Sequence, residues 1–387
     1  MSPARKVFLL VALPLTLIFA GVIVALLRQP TPDPKDPNIN SSADSWEKRV
    51  ANAFKPSECP LLPKPKLDAS YYQGPLIDAH FHPPSLPDSA LGSELEAPDD
   101  QTLLGVNITY DEIACTFRND GTSGKVFAFF PVYPNIYKPA LEVVKRAVDQ
   151  YPDVFVPFIM PPDNDGSPTG YPTVNSDTLQ KMLKVYPNLF KGYGEIGLYE
   201  RQGGAKELPP DSARLLEIYP VAREHNLVVM FHLGEGQAAS YEKILQANRD
   251  IKFIWHGDQL INCTECTQDL TVIDGILSRN PNVYYGIDEL YGDVFLMQAE
   301  VGKKKFLEHF KDYDPLLKKD VETWKSFIER HPDQVLWDTD RGVLTWSMDI
   351  EVGRALTNYS RAFIAELDPD VQEKFAYKNA EKLLPSN

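Results

Sequence analysis

Leu227-Val-Val-Met-Phe-His232-Leu-Gly234 is an apolar run of strand length that closes on a histidine. Further on, Ile251-Lys-Phe-Ile-Trp-His256-Gly257 repeats the design. Tyr241–Asn248 carries a helical pattern between the two runs, and Leu270–Ser278 carries another after them. Strand, helix and strand in this order predict a parallel βαβ unit. The runs are almost continuously apolar, as strands sheathed by helices should be.

The alternation extends in both directions. Pro75–His82, Lys125–Tyr133, Val154–Pro161 and Lys191–Leu198 precede the central pair, and Val283–Glu289 and Val335–Asp340 follow it. Leu141, Val144, Ala147 and Val148 give Pro139–Gln150 one apolar helical face, and Leu215, Ile218, Val221 and Ala222 do so for Ser212–His225. Eight strand–helix units predict a closed (β/α)8 TIM barrel rather than an open sheet. Residues 83–124 and 290–334 are long connections of the kind that cover a barrel's active-site face. No further internal repeat is present.

The 387 residues divide into an amino-terminal segment at 1–28, a linker at 29–45 and one barrel domain at 46–387. Val7–Leu27 is uncharged, follows Arg5 and Lys6, and as a helix would span ~30 Å of hydrocarbon. It reads as an uncleaved membrane anchor in preference to a cleaved signal peptide, whose apolar core is shorter. The basic residues before it place the barrel on the extracytoplasmic side, although Arg28 weakens the asymmetry. A secreted protein is the alternative. The linker Gln29-Pro-Thr-Pro-Asp-Pro-Lys-Asp-Pro-Asn38 has nothing to bury. The net charge of −15 argues against a nucleic-acid partner, and Lys303–Lys305 and Lys318-Lys319 read as solvated helix faces. Of four cysteines, Cys263 and Cys266 are close enough for a local bridge, which would leave Cys59 to pair with Cys115.

The first strand ends in Asp78-Ala-His80-Phe-His82, and alternation along a strand sends both histidines to one side. Alone, this is a weak signal. The chain has only seven histidines, however, and His80, His82, His232 and His256 all fall at strand ends, which open on one face of a parallel barrel. The other three, His225, His309 and His331, read as surface or cap residues on helices. Glu195, within Gly194-Glu-Ile-Gly197, is an acid in a buried strand and needs a partner, either a cation or a salt bridge such as Lys191. Asp340 ends the eighth strand with Asp338 on the same face, and one of the two should reach the site while the other orients a ligand. Asp288 and Glu289 read as loop charges or as substrate contacts.

Together these elements resemble the amidohydrolase superfamily, and its amidohydrolase-related branch in particular. The resemblance runs over residues 75–385. It rests on the Asp-X-His-X-His opening, Gly194–Gly197, His232, His256-Gly257, Leu336-Trp-Asp-Thr-Asp340 and the tail Lys374-Phe-Ala-Tyr-Lys-Asn-Ala-Glu-Lys-Leu-Leu384. Asp338 stands where the family commonly has glycine. The resemblance implies a divalent cation, zinc foremost, held by His80, His82 and Asp340. It gives His232 and His256 to a second cation or to substrate, and puts Glu195 where relatives place a bridging carboxylate or carboxylated lysine. It implies hydrolysis of an amide, lactone, ester or cyclic C–N bond in a small molecule. The cation would lower the pKa of water it binds to about 7, and Asp340 would shuttle the proton. A non-oxidative decarboxylase, a metal-dependent phosphoesterase or nuclease, and a non-catalytic barrel are the other readings.

Overall fold

A computed structural model of the chain describes residues 50–384 except 52, 60–61, 64–66, 85–107, 163, 168–169, 201–206, 258–269, 289, 291–300 and 343–344. The expected anchor and linker, Glu289 and the pair Cys263 and Cys266 lie outside the described residues. Among the described residues no helix is long and apolar enough to cross a membrane.

All eight expected strands form. They are β1 (Asp78–Phe81), β2 (Val126–Pro131), β3 (Phe155–Met160), β4 (Gly192–Gly197), β5 (Val228–His232), β6 (Phe253–Trp255), β7 (Val283–Ile287) and β8 (Val335–Trp337). Each pairs in parallel with the next in chain order. The helices between them are α1 (Tyr110–Asn119), α2 (Tyr137–Gln150), α3 (Ser176–Val185), α4 (Ala213–Glu224), α5 (Ala238–Ala247) and α6 (Leu270–Arg279). The seventh connection holds α7 (Gly302–His309) and α8 (Asp314–Arg330), and α9 (Ile350–Ala365), α10 (Pro369–Glu373) and α11 (Asn379–Leu383) follow β8. Local chemistry starts several of them. Thr109 and Glu112 form a reciprocal capping box on α1, and the side chains of Asn175, Ser212 and Asp349 cap α3, α4 and α9.

The strands sort their side chains into two apolar layers. Ile77, Ala79, Phe127, Phe129, Phe158, Val228, Met230, Ile254, Tyr284 and Leu336 fill the barrel interior. Val126, Ala128, Phe130, Val229, Phe231, Phe253, Trp255, Val335 and Trp337 pack outward within the larger cluster that includes the helices. The carboxyl-terminal tail closes the amino-terminal end. Ala380 and Leu383 join the interior cluster, Asn379 Nδ2 donates to the carbonyls of Val335 and Pro332, and Ile77 N donates to Ala376 O.

Between β8 and β1 the ladder reduces to a single bridge, Phe81 to Arg341, with His82 N donating to Arg341 O at 2.7 Å. A side chain does the rest of the joining. Asp78 Oδ1 accepts from Thr339 N at 3.0 Å and from His80 N at 3.2 Å, and Asp78 Oδ2 accepts from Thr339 Oγ1 at 2.6 Å.

Cys59 is bridged to Cys115 of α1. This is one of the two cysteine pairs expected from the sequence, and the other lies outside the described residues.

Candidate metal centre

The parity of the strands explains which side chains face the centre. In β5 and β6 simple alternation carries the interior side from Met230 to His232 and from Ile254 to His256. In β7 it carries Tyr284 and Gly286 to Asp288, and in β8 it carries Leu336 to Asp338 and Asp340.

Strands β1 and β4 break the rule. Ile77 and Ala79 face inward while Phe81 faces outward, and the β1–β2 register shifts between Asp78 and Phe81. This local irregularity turns His80 and His82 into the barrel and leaves Asp78 behind the wall, against Thr339 and Arg341. In β4, Tyr193 and Ile196 both face outward, with a second register shift between them. Glu195 is thereby presented to the interior. Gly194 makes the irregularity sterically feasible. Its φ is 138°, and a Cβ there would sit 2.4 Å from Met230 O. Unbroken alternation would put Asp78 on the same side as the histidines, and the register shift in β1 prevents it.

The six residues expected at the centre converge. Glu195 Oε2 faces His80 Nε2 at 3.5 Å and His82 Nε2 at 3.6 Å, while Oε1 faces His232 Nδ1 at 3.0 Å and His256 Nε2 at 3.8 Å. Asp340 Oδ1 lies 3.4 Å from His80 Nδ1 and 2.8 Å from His82 Nε2, and its Oδ2 lies 3.9 Å from His256 Nε2. Glu195 does not take Lys191 as partner, since Lys191 Nζ donates to Asn188 O. The two carboxylates thus share His80, His82 and His256, and Glu195 also reaches His232.

The charges follow from this enclosure. Burial pushes the Glu195 carboxyl up, but His256, His232 and His80 outweigh it and hold it well below the usual range. Burial also opposes ionisation of Asp340, and His80, His82 and His256 again prevail. Burial lowers His80, so its ring is neutral with a lone pair to offer. Burial acts the same way on His82, but the neighbouring Asp340 and Glu195 raise it overall.

These donors fit a divalent cation better than they fit one another. His80 is fully buried, yet neither ring nitrogen makes a hydrogen bond. Leaving such groups unsatisfied in an interior is costly. The nitrogen and oxygen atoms fall into overlapping sets, each within 4.8 Å across: His80, His82, Glu195; Glu195, His232, His256; and His80, His256, Asp288, Asp340. Imidazole and carboxylate are ligands that zinc accepts.

Three neighbours go beyond the sequence expectation. Asp288 is neither a loop charge nor open to substrate, being 1 % exposed with Oδ2 3.3 Å from His256 Nδ1. It orients that ring so that Nε2 faces the centre. Its inward parity was the available signal. Tyr199, half-buried at the mouth beyond β4, lays its ring 4.4 Å from that of His232. Phe129 presents itself edge-on to His80 at 4.7 Å. Asp338 shares the inward side with Asp340 and senses His256, but makes no ion pair with a histidine among the described residues. It lies buried against Gly286, where any added Cβ would come within 2.2 Å of its Oδ2, and burial pushes its carboxyl well up. None of the remaining histidines joins the cluster. His225 contacts Gln180 at 3.1 Å, and His309 closes α7. His331, expected at the surface or as a cap, caps α8 but is buried, 3.0 Å from Asp274.

The amidohydrolase family model matches residues 77–386. This chain belongs to the amidohydrolase family. No curated protein matches it. Among solved structures, this amidohydrolase is similar to a probable 2-pyrone-4,6-dicarboxylic acid hydrolase from Acinetobacter baumannii, at 12 % identity over 80 % of this chain and 99 % of that one, TM-score 0.49. It is also similar to an amidohydrolase from Burkholderia multivorans with bound zinc, at 10 % identity over 81 % and 100 % of the two chains, TM-score 0.48. A third likeness is to 2,6-dihydroxybenzoate decarboxylase from Rhizobium, at 11 % identity over 80 % and 98 %, TM-score 0.43. Nothing about chemistry follows from likenesses so distant.

Proposed function

We propose that this amidohydrolase is a metal-dependent hydrolase of a small molecule, cleaving an amide, lactone, ester or cyclic C–N bond. The observation that carries the reading is Glu195 set between two histidine pairs, one oxygen toward each, with Asp340 beside His80 and His82. His80, His82 and Asp340 would hold one divalent cation, zinc foremost, and His232 and His256 a second, with Glu195 shared. When bound, the cation supplies Lewis acidity toward a carbonyl oxygen and acidifies water.

The chain's own groups supply the rest. Asp340, kept anionic by its histidines, is placed to take a proton from water adding to the substrate carbonyl carbon and to return it to the departing nitrogen or oxygen. Asp288 holds His256 in one orientation. Tyr199 walls the mouth beside His232. The Cys59–Cys115 bridge suits an oxidising compartment, which supports a barrel held outside the cytoplasm by the apolar segment Val7–Leu27.

Metal analysis of the purified full-length chain, followed by ester, lactone and amide turnover in 18O-labelled water, tests the reading. Bound transition metal and one labelled oxygen in the product are the expected results. A chain that takes up no zinc, manganese or iron overturns the metal centre. Carbon dioxide release without label in the cleaved product replaces hydrolysis with decarboxylation.

A further inference from the structure

Asp340 has a left-handed backbone, with φ 48°, which is sparsely populated by residues other than glycine. Such a conformation persists where its surroundings over-determine it. Here both flanking residues are anchored behind the barrel wall. Thr339 is held through backbone N and Oγ1 by Asp78. Arg341 Nη2 donates to Asp120 Oδ2 at 2.9 Å and lies 3.6 Å from Asp78 Oδ2, and its Nε donates to Thr339 Oγ1 at 3.2 Å. The Thr339 hydroxyl thus gives one hydrogen bond, to Asp78, and receives two, from Arg341 Nε and Arg341 N, which uses its one proton and both lone pairs. The guanidinium also lies 4.7 Å over the Phe117 ring of α1. Arg341 is 1 % exposed, and Asp78 and Asp120 are fully buried.

We propose that Asp120 and Arg341 are positioning residues for the centre: their buried pair fixes the backbone on which Asp340 is carried and aligns it with His82. The link to His82 is direct, because Arg341 O accepts from His82 N at 2.7 Å while Asp340 Oδ1 sits 2.8 Å from His82 Nε2. Stability alone gives little reason for the pair. Desolvating one guanidinium and two carboxylates consumes most of their mutual attraction, and apolar replacement of such groups is often neutral or stabilising. A hydrogen-bonded pair does fix direction, which a packed apolar pair does not. The inference rests on Asp340 belonging to the metal centre.

The test uses the full-length chain stripped of metal, with zinc affinity from chelator competition, the visible spectrum of the cobalt-loaded protein, and the urea unfolding midpoint. The variants are Asp120→Asn, Arg341→Met, the double variant carrying both, and Arg361→Met. Arg361 is a second buried arginine, whose hydrogen bonds among the described residues go to the carbonyls of Tyr72, Gly74 and Gly121 and not to a carboxylate, and it serves as the control for a damaged interior. Each single change at 120 or 341 should weaken zinc about ten- to a hundred-fold and alter the cobalt bands. Arg361→Met should lower the midpoint and leave both readings alone. The double variant decides, because it removes the guanidinium together with the carboxylate that accepts from it, and leaves Asp78 its hydrogen bonds from Thr339 and His80. It should recover the unfolding midpoint but not the zinc affinity, and it is read even where a single variant fails to fold. Recovery of both, or wild-type affinity in the variants, overturns the positioning role while leaving the metal centre standing. A wild-type chain that binds no metal overturns both.

Discussion

Shortening Glu195 by one methylene is the most telling perturbation of the centre. Glu195→Asp keeps the charge and the planar carboxylate but retracts it by about 1.5 Å, one carbon–carbon bond. The oxygens now stand 3.5 and 3.6 Å from one histidine pair and 3.0 and 3.8 Å from the other. The side chain already spans the gap with little to spare, and zinc accepts ligands only at about 2.0–2.2 Å. A retracted carboxylate cannot serve both pairs. Metal analysis after reconstitution should therefore fall from two equivalents per chain to one, and chelator competition should show the retained ion weakened about ten- to a hundred-fold. Urea unfolding of the metal-free variant provides the check that the barrel persists. Two equivalents at unchanged affinity would refute the reasoning, since Glu195 would then not be shared.

Gly194→Ala should lower stability by at least ~3 kcal/mol in urea unfolding, because φ 138° and a Cβ 2.4 Å from Met230 O leave no room; a loss under 1 kcal/mol would show that β4 reaches Glu195 some other way. Replacing Cys59 and Cys115 with serine opens a bridge spanning 56 residues, and the unfolding free energy should drop by about 4 kcal/mol on chain-entropy grounds, read by thermal or urea melts against the oxidised wild type. Asp338→Asn reports on burial of a carboxyl. The folded Asp338 has a raised pKa, so its contribution is whole below the ordinary value of 3.8 and is lost as pH climbs through the raised value. The metal-free variant should therefore gain on wild type between pH 5 and pH 8, and a difference in unfolding free energy that is flat or reversed across that window would contradict the assignment.

Much of this was legible in the sequence, and the reason is geometric. Parallel strands buried on both faces must be nearly continuous in apolar residues, so runs such as Val228–His232 and Phe253–Trp255 announce themselves, and a histidine closing each can only lie at the shared end. What alternation could not supply was the pair of register shifts. They put His80 and Glu195 inward against parity, and they depend on the ladder to the neighbouring strand and on the space that Gly194 leaves at Met230. Arg341, Asp120 and Thr339 were equally invisible, because their partners are hundreds of residues apart or on another layer. In the sequence Cys59 and Cys115 were reached only as the pair that a Cys263–Cys266 bridge would leave, and packing of the segment before β1 against α1 supplies the physical reason for their bridge.

The same bridge has a mechanical side. The covalent loop it closes, from Cys59 to Cys115, contains the whole of β1. Tension entering from the amino-terminal direction meets the contacts of Phe54 and Ser57 with α1, then the sulfurs, and passes into α1, while β1 with His80 lies on the slack side of the loop. Load applied from that end thus bypasses the histidine pair, and cutting the bridge shifts it to the segment before β1, where Leu62 and Tyr72 are the next points of attachment.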